Sequence, residues 1–346
     1  MGRVTLRTIS AHHAGGVRLT AQKTRILVTG ALGQIGSELT TILRQRHGAD
    51  NVIAADRVNA QPEFSRHGPY ETADVTQRHA VDRLIEAYNV GSIYHLAAIL
   101  SATGESQPQR AWLVNVEGTL NVLESARQLG ASKVFVPSSI AAFGPRTPRK
   151  LAPQDTVLQP TTMYGVTKVT GELLGEYYVT RYGLDVRGIR YPGIISSETP
   201  PGGGTTDYAV DMFYQALEQG RYTCFVGPET TLPMMYMPDC IKATIDLMDA
   251  DPARLRHHCD FNTAGMSFSA AELAAEIAKH IPHFTVEYAP DFRQAIADSW
   301  PRDIDDSAAR EEWSWTPQFT LQTMVVDMLS RLRIRLGIAE PAGPAR

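Results

Sequence analysis

Tyr164-Gly165-Val166-Thr167-Lys168 is Y-x-x-x-K, a phenol and an ammonium four residues apart. On a helix that spacing puts both groups on one face. A phenol with a pKa near about 10 is a weak base at neutral pH, and bringing it to about 7 needs roughly 4 kcal/mol of preferential phenolate stabilisation. An adjacent ammonium in a partly dry site supplies part of that stabilisation. Ser139 ends the apolar run Lys133–Ser139 and is placed to hydrogen-bond a hydroxyl or carbonyl oxygen. Tyr164, Lys168 and Ser139 are thus the candidate catalytic residues. The competing reading of Y-x-x-x-K is an amphipathic helix with an exposed lysine, and the surrounding elements decide between the two.

A second pattern is G-x-x-G-x-x-G over Gly30, Gly33 and Gly36, directly after the β-branched run Ile26–Gly30. Gly30 permits a tight turn, Gly33 lets backbone approach a pyrophosphate, and Gly36 lets the following helix pack on the strand. The N–H groups of the first helical turn, with Gln34 and Ile35, would hold the phosphates with help from the helix dipole. Asp56 closes the next apolar run, Asn51–Asp56, where an acid binds the adenosine ribose diol in such folds. An anionic side chain there repels a 2′-phosphate, so NAD is expected rather than NADP. Asp74 and Val75, at a later strand end, are candidates for the adenine, although an acid before a helix is also a common cap. A cationic nicotinamide ring next to Tyr164 would complete the stabilisation of its phenolate.

These residues need a scaffold, and the chain from Arg25 supplies strand and helix in alternation. Helical spacing runs through Gln34–His47, Asp74–Asn89, Gln109–Leu129 and Met163–Tyr182. Short apolar runs at Ile26–Gly30, Asn51–Asp56, Ser92–Ala98, Lys133–Ser139 and Leu184–Ile195 read as strands buried on both faces. The expected fold is α/β: a doubly wound parallel Rossmann sheet with a smaller C-terminal substrate lobe. An NAD-binding domain is expected over 24–195. Residues 196–346 would form mainly the lobe, with some segments returning to the first domain.

Composition narrows the class. The chain has 346 residues and, with 33 Lys+Arg against 37 Asp+Glu, a net charge of −4, which argues against nucleic acid or an anionic membrane as partner. No apolar run reaches the roughly 20 residues of a membrane span. Three widely spaced cysteines, Cys224, Cys240 and Cys259, form no CxxC and suit a reducing compartment. His257-His258-Cys259 is not expected to hold a metal, since consecutive residues rarely converge on one ion. Trp313 and Trp315 read as core. Residues Met1 to Ser37 hold no acid and several arginines, so Met1–Lys23 reads as an extension, either a tail or a mitochondrial presequence. The expected location is cytoplasmic for a bacterial chain and the mitochondrial matrix if the extension is a presequence.

The glycine turn, HLAA (His95–Ala98), Ser139 and Y-x-x-x-K together resemble the extended short-chain dehydrogenase/reductase superfamily, which includes nucleotide-sugar epimerases. Longer stretches resemble its short-chain L-threonine 3-dehydrogenases: VPSSIAAFGP (Val136–Pro145), RYPGIIS (Arg190–Ser196), PPGGGTTDYA (Pro200–Ala209) and LPMMYMPDC (Leu232–Cys240). The resemblance implies that Tyr164 takes the proton of the threonine β-hydroxyl, Lys168 assists it and binds the nicotinamide ribose, and Ser139 orients the hydroxyl. It also implies cofactor contacts at Leu96, Ala97, Ala98, Tyr191 and Ile194. Ser101, Thr205, Thr206, Asp207 and Trp300 are the implied substrate residues, and a homodimer the implied assembly. Asp207 has a plainer alternative as the cap of a helix beginning near Tyr208. The function expected is metal-independent, NAD-dependent oxidation of L-threonine. The alternatives are an NAD-dependent nucleotide-sugar epimerase or dehydratase, and a non-catalytic NAD-sensing scaffold.

Overall fold

The computed structural model describes residues 23–60, 62–200 and 202–338. The expected extension Met1–Lys23 therefore lies, Lys23 apart, outside the described residues. The first half runs β1 (Arg25–Thr29), α1 (Gln34–His47), β2 (Val52–Asp56), α2 (Pro62–Arg66), β3 (Tyr70–Thr72), α3 (Arg78–Tyr88), β4 (Val90–His95), α4 (Ser101–Ser106), α5 (Pro108–Trp112), α6 (Gly118–Leu129), β5 (Lys133–Phe135) and β6 (Ser138–Ser139). It continues through α7 (Met163–Tyr182), β7 (Asp185–Arg187), β8 (Ile189–Tyr191), β9 (Gly193–Ile195), α8 (Tyr208–Gln219), β10 (Arg221–Cys224), β11 (Thr231–Tyr236) and α9 (Met237–Asp249). The remainder is β12 (Phe261–Asn262), β13 (Met266–Ser269), α10 (Ala270–Ala278), β14 (Thr285–Tyr288), α11 (Phe292–Asp298), α12 (Ser307–Trp313) and α13 (Leu321–Leu336).

Six parallel strands form the main sheet in the order β3-β2-β1-β4-β5-β7. Because strand side chains alternate, each apolar run serves both faces. Leu27, Ile53, Ile93 and Val134 pack toward α3 and α6, while Ile26, Val28, Val52 and Ala54 pack with α1 and α9. A third core gathers Tyr208, Phe213, Met234, Phe268, Leu273, Trp300 and Met328 beyond the carboxyl ends of the strands. Smaller sheets, β12-β8-β6 and β13-β11-β9, join this region to the main sheet's ends, and β10 pairs with β14. The strand order reverses beside β1, between β1 and β4, and a ligand crevice is expected there. Trp313 and Trp315 are buried in the core shared with α1 and α9.

Several expectations are corrected in detail. Leu184–Ile195 is not one strand: β7, β8 and β9 belong to three different sheets. The break falls at Gly188, where a Cβ would lie 2.5 Å from the carbonyl oxygens of both Cys259 and Val136, and at Pro192, which has no N–H to give a ladder. Lys133–Ser139 divides likewise into β5 and β6. The helix expected over Gln109–Leu129 is interrupted by a π-turn at Leu113–Glu117. The three-residue edge strand β3 is too short and polar to have announced itself.

Candidate active site

Helix α7 carries the candidate pair. Thr162 Oγ1 accepts from the Gly165 N–H at 3.1 Å, capping the helix, and Glu105 Oε1 on α4 accepts from the Met163 N–H at 2.6 Å. Helix α7 is thereby fixed at the turn that presents Tyr164. One turn on, Lys168 is buried, with Nζ donating to Pro137 O at 2.8 Å and lying 5.4 Å from the Tyr164 ring centroid. Burial pushes the Tyr164 phenol up to about 12, opposed by its hydrogen bond with Ser139. Burial pushes Lys168 down to about 8, opposed by the charge of Glu172. Ser139, Tyr164 and Lys168 line one cavity of about 230 Å³. The three candidate catalytic residues thus come together.

The same cavity takes in Gly30, Gly33, Gln34, Ile35 and Gly36 at one end, and Ser101, Thr205, Thr206, Asp207 and Trp300 at the other. Leu96, Ala98, Tyr191 and Ile194 lie along it. A neighbouring cavity of about 460 Å³ holds Asp56, Asp74, Val75 and Ala97 and shares Gly30, Gly33, Leu96, Ala98 and Leu100 with the first. The two are ends of a single cleft along the tips of β1, β2 and β4.

The cleft's geometry suits a dinucleotide. Gly30 has φ +71°, and a Cβ there would lie 2.5 Å from Ala97 N; a Cβ on Gly36 would lie 2.1 Å from Gly30 O. Only glycine allows this approach of turn, helix and strand. Asp56 stands at the end of β2, its Oδ2 accepting from Leu32 N–H at 3.1 Å, so the acid is tied to the glycine turn. Asp74 accepts from Thr76 N–H at 2.9 Å and shapes the turn before α3 without capping that helix. The Tyr191 ring borders the cleft, but its hydroxyl is bonded to Thr244 and points into the core. His95 of HLAA is buried between Thr29 Oγ1 (2.8 Å) and Thr119 Oγ1 (3.2 Å), and burial lowers it to about 3, so it is a neutral bridge.

At the far end, Ser101 Oγ and Thr205 Oγ1 are 3.4 Å apart and both side chains are buried. Asp207 Oδ2 accepts from the N–H groups of Gly203 and Gly204, each at 2.8 Å, and makes no cap bond to α8. The carboxylate therefore shapes the glycine loop, and the helix-cap alternative is set aside. Sequence reasoning missed Glu105, Leu100, Pro137 and Arg110. Thr162 directly before an apolar helix carried a cap signal; the others gave none. Among the described residues, no group of three or more His, Cys, Asp or Glu could hold a metal ion. His257 instead pairs through Nδ1 with Glu312 at 2.6 Å. No described helix is long and apolar enough to cross a membrane.

The pattern of the NAD dependent epimerase/dehydratase family matches residues 26–262. A mitochondrial L-threonine 3-dehydrogenase of Sus scrofa is 46% identical over 311 residues, 90% of this chain and 83% of that protein. The holo form of a GalE-like L-threonine dehydrogenase from Cupriavidus necator superposes with a TM-score of 0.87 at 51% identity, covering 89% of this chain and 99% of that one. A monomeric L-threonine 3-dehydrogenase from a metagenome, in its apo form, gives 0.87 at 48% identity, over 90% of this chain and 99% of its own.

Proposed function

The chain belongs to the NAD dependent epimerase/dehydratase family, and on that premise we propose that it oxidises the β-hydroxyl of L-threonine to give L-2-amino-3-oxobutanoate. NAD, when bound, supplies the hydride acceptor and a positive charge near the phenol. Tyr164 takes the hydroxyl proton, while the C3 hydrogen departs with its electron pair and the C–O bond becomes a carbonyl. Lys168 stabilises the phenolate, and Ser139, bonded to the same phenol, orients the substrate oxygen. Gly30, Gly33, Gln34, Ile35 and Gly36 would hold the pyrophosphate. Asp56 would hold the ribose diol, where a 2′-phosphate would meet it as a like charge. Asp74, Val75 and Ala97 would border the adenine; Leu96, Ala98, Tyr191 and Ile194 would flank the rest.

The observation that carries the substrate choice is electrostatic. Lys168 is the one cation among the described residues lining this cavity. A nucleoside diphosphate brings two or more negative charges that need cationic or N–H partners once water leaves. A small zwitterion needs only short polar groups, and Ser101, Thr205, Thr206 and Asp207 offer them beside the Trp300 wall. This favours threonine over a nucleotide sugar, and the assembled Ser139, Tyr164 and Lys168 favour an enzyme over a scaffold.

For the assembly, the supporting feature is an apolar stripe on α5, α6 and α7, and a homodimer through these helices is our reading. For location, the chain would work in the cytoplasm if bacterial and in the matrix if Met1–Lys23 is a presequence. The decisive assay follows NADH formation by absorbance. L-threonine should support it, UDP-sugars should not, and Tyr164→Phe should lower turnover by at least roughly 10²-fold. Turnover of a UDP-sugar without threonine activity, or a fully active Tyr164→Phe, would overturn the reading.

A further inference from the structure

Glu172 lies one turn beyond Lys168 on α7 and is buried, with no place in the chemistry described so far. Its carboxylate is heavily engaged. Oε1 accepts from Ser138 Oγ and from Arg190 Nε at 2.9 Å, and Oε2 accepts from Arg190 Nη2 at 2.8 Å. Arg190, also buried, reaches on to Gln154 O at 2.8 Å, Asn262 Oδ1 and Asp260 Oδ2, both at 3.2 Å. Its guanidinium carbon lies 5.4 Å from the Phe143 ring centroid. A buried ion pair of this kind seldom repays its own desolvation, and an apolar pair of similar volume would serve stability as well. Its position offers another reason for it. Ser138 and Arg190 are register partners in the β6–β8 pair, so Glu172 ties the strand end bearing Ser139 to the helix bearing Tyr164 and Lys168.

We propose that Glu172 is a positioning residue: clamped by Arg190, its carboxylate holds the Ser138–Ser139 strand end against the catalytic helix and balances the Lys168 ammonium. The proposal rests on the catalytic roles given above to Tyr164, Lys168 and Ser139. Charge enters through Lys168, which burial drives toward its neutral form and Glu172 pulls back. The other groups around Lys168 do not replace that balance. Tyr164 on the same helix is neutral until it acts as base, His95 from β4 is held neutral by burial, and on the strand side the uncharged Pro137 carbonyl accepts from Lys168 Nζ. Arg190, behind Glu172, is a second cation, and losing the Glu172 charge would leave it opposed by Asp260 and, less strongly, by Asp155.

The test is the pH profile of kcat for NADH formation with threonine, in Glu172→Gln and wild-type protein. The lysine must keep its proton for the phenolate to be stabilised, so activity falls on the alkaline side as Lys168 deprotonates. Glu172→Gln should move that alkaline limb to lower pH by about one unit, the size of effect one nearby charge has. Ser138→Ala, a mild change that keeps both charges, should lower kcat several-fold with the limb in place. Asp260→Asn, at the rim of the network, should move the limb the same way by less, and serves if Glu172→Gln does not fold. A lowered melting temperature with an unmoved limb, or wild-type kcat in Ser138→Ala, would reduce Glu172 to a structural clamp and overturn the proposal. Tyr164→Phe separates this failure from that of the catalytic reading. An active Tyr164→Phe sinks the mechanism itself, whereas an inactive one with an unmoved Glu172→Gln profile sinks only the role of Glu172.

Discussion

Burial raises the Tyr164 phenol to about 12 and lowers Lys168 to about 8, and both shifts oppose the ionised pair that base catalysis uses. Bringing the phenol from about 12 to about 7 amounts to on the order of 7 kcal/mol, more than the free-peptide reference suggests. On the mechanism proposed above, such a site would keep Tyr164 protonated until the cationic nicotinamide lies beside it. Asp207 illustrates a different use of charge. Its carboxylate gathers the Gly203 and Gly204 N–H groups and so sets the loop carrying Thr205 and Thr206. Asp207→Asn loses the charge-assisted bonds, each worth about 1.5–3 kcal/mol, and should raise the threonine KM roughly tenfold. NAD affinity, measured by fluorescence titration, should stay near wild type; unchanged steady-state constants would place this loop outside the substrate's reach. That Tyr164, Lys168 and Asp56 would lie along one cleft was legible in the sequence, from residue type and spacing. Glu172 and Glu105 were not, because their partners Arg190 and Met163 lie 18 and 58 residues away.

Helix α7 has to hold two side chains in register over a strand end, and its glycines show where it is braced. A Cβ on Gly175 would lie 2.5 Å from Cys259 Sγ and 3.2 Å from Val186 Cγ1, so here the helix presses directly on the sheet. A Cβ on Gly171, one turn earlier, meets nothing within 4 Å. Gly171→Ala should therefore stabilise the protein by about 0.5–1 kcal/mol through helix propensity, while Gly175→Ala should destabilise it by about 1–3 kcal/mol through overpacking. Thermal unfolding of the two variants checks both signs, and equal shifts would contradict this account of the packing. At this scale the sequence predicted the helices and the alternation well, because apolar periodicity is a local property. It blurred Leu184–Ile195 into one strand because the switch between sheets is imposed by neighbours at Gly188, namely Val136 and Cys259, and leaves no periodic trace. The π-turn at Leu113–Glu117 was equally hidden, although Asn115 within it bonds both backbone groups of Ile99 and fixes the loop after β4.

Seen whole, the molecule leaves apolar surface where a monomer has least use for it. Val166, Leu173 and Tyr177 recur at seven and four residues along α7, on the side opposite Lys168 and Glu172. Leu173 is 67% exposed. Trp112, Leu113 and Leu120, on the neighbouring segment from α5 to α6, are exposed as well. Scattered exposed apolar residues need no explanation, but a stripe across two adjacent helices is the kind of surface a subunit contact would cover. A two-fold axis would set the stripe against its own copy, since a self-complementary apolar face closes as a dimer. The metagenome relative is a monomeric L-threonine 3-dehydrogenase. Light scattering after gel filtration should give twice the 38.0 kDa of the chain. Leu173→Glu should bring the mass down to one chain by forcing like charges together in an apolar contact. Because Leu173 faces away from Tyr164 and Lys168, that variant should still bind NAD with near wild-type affinity. A wild-type protein that elutes as a single chain across micromolar concentrations would sink the dimer and leave the stripe without an assigned partner.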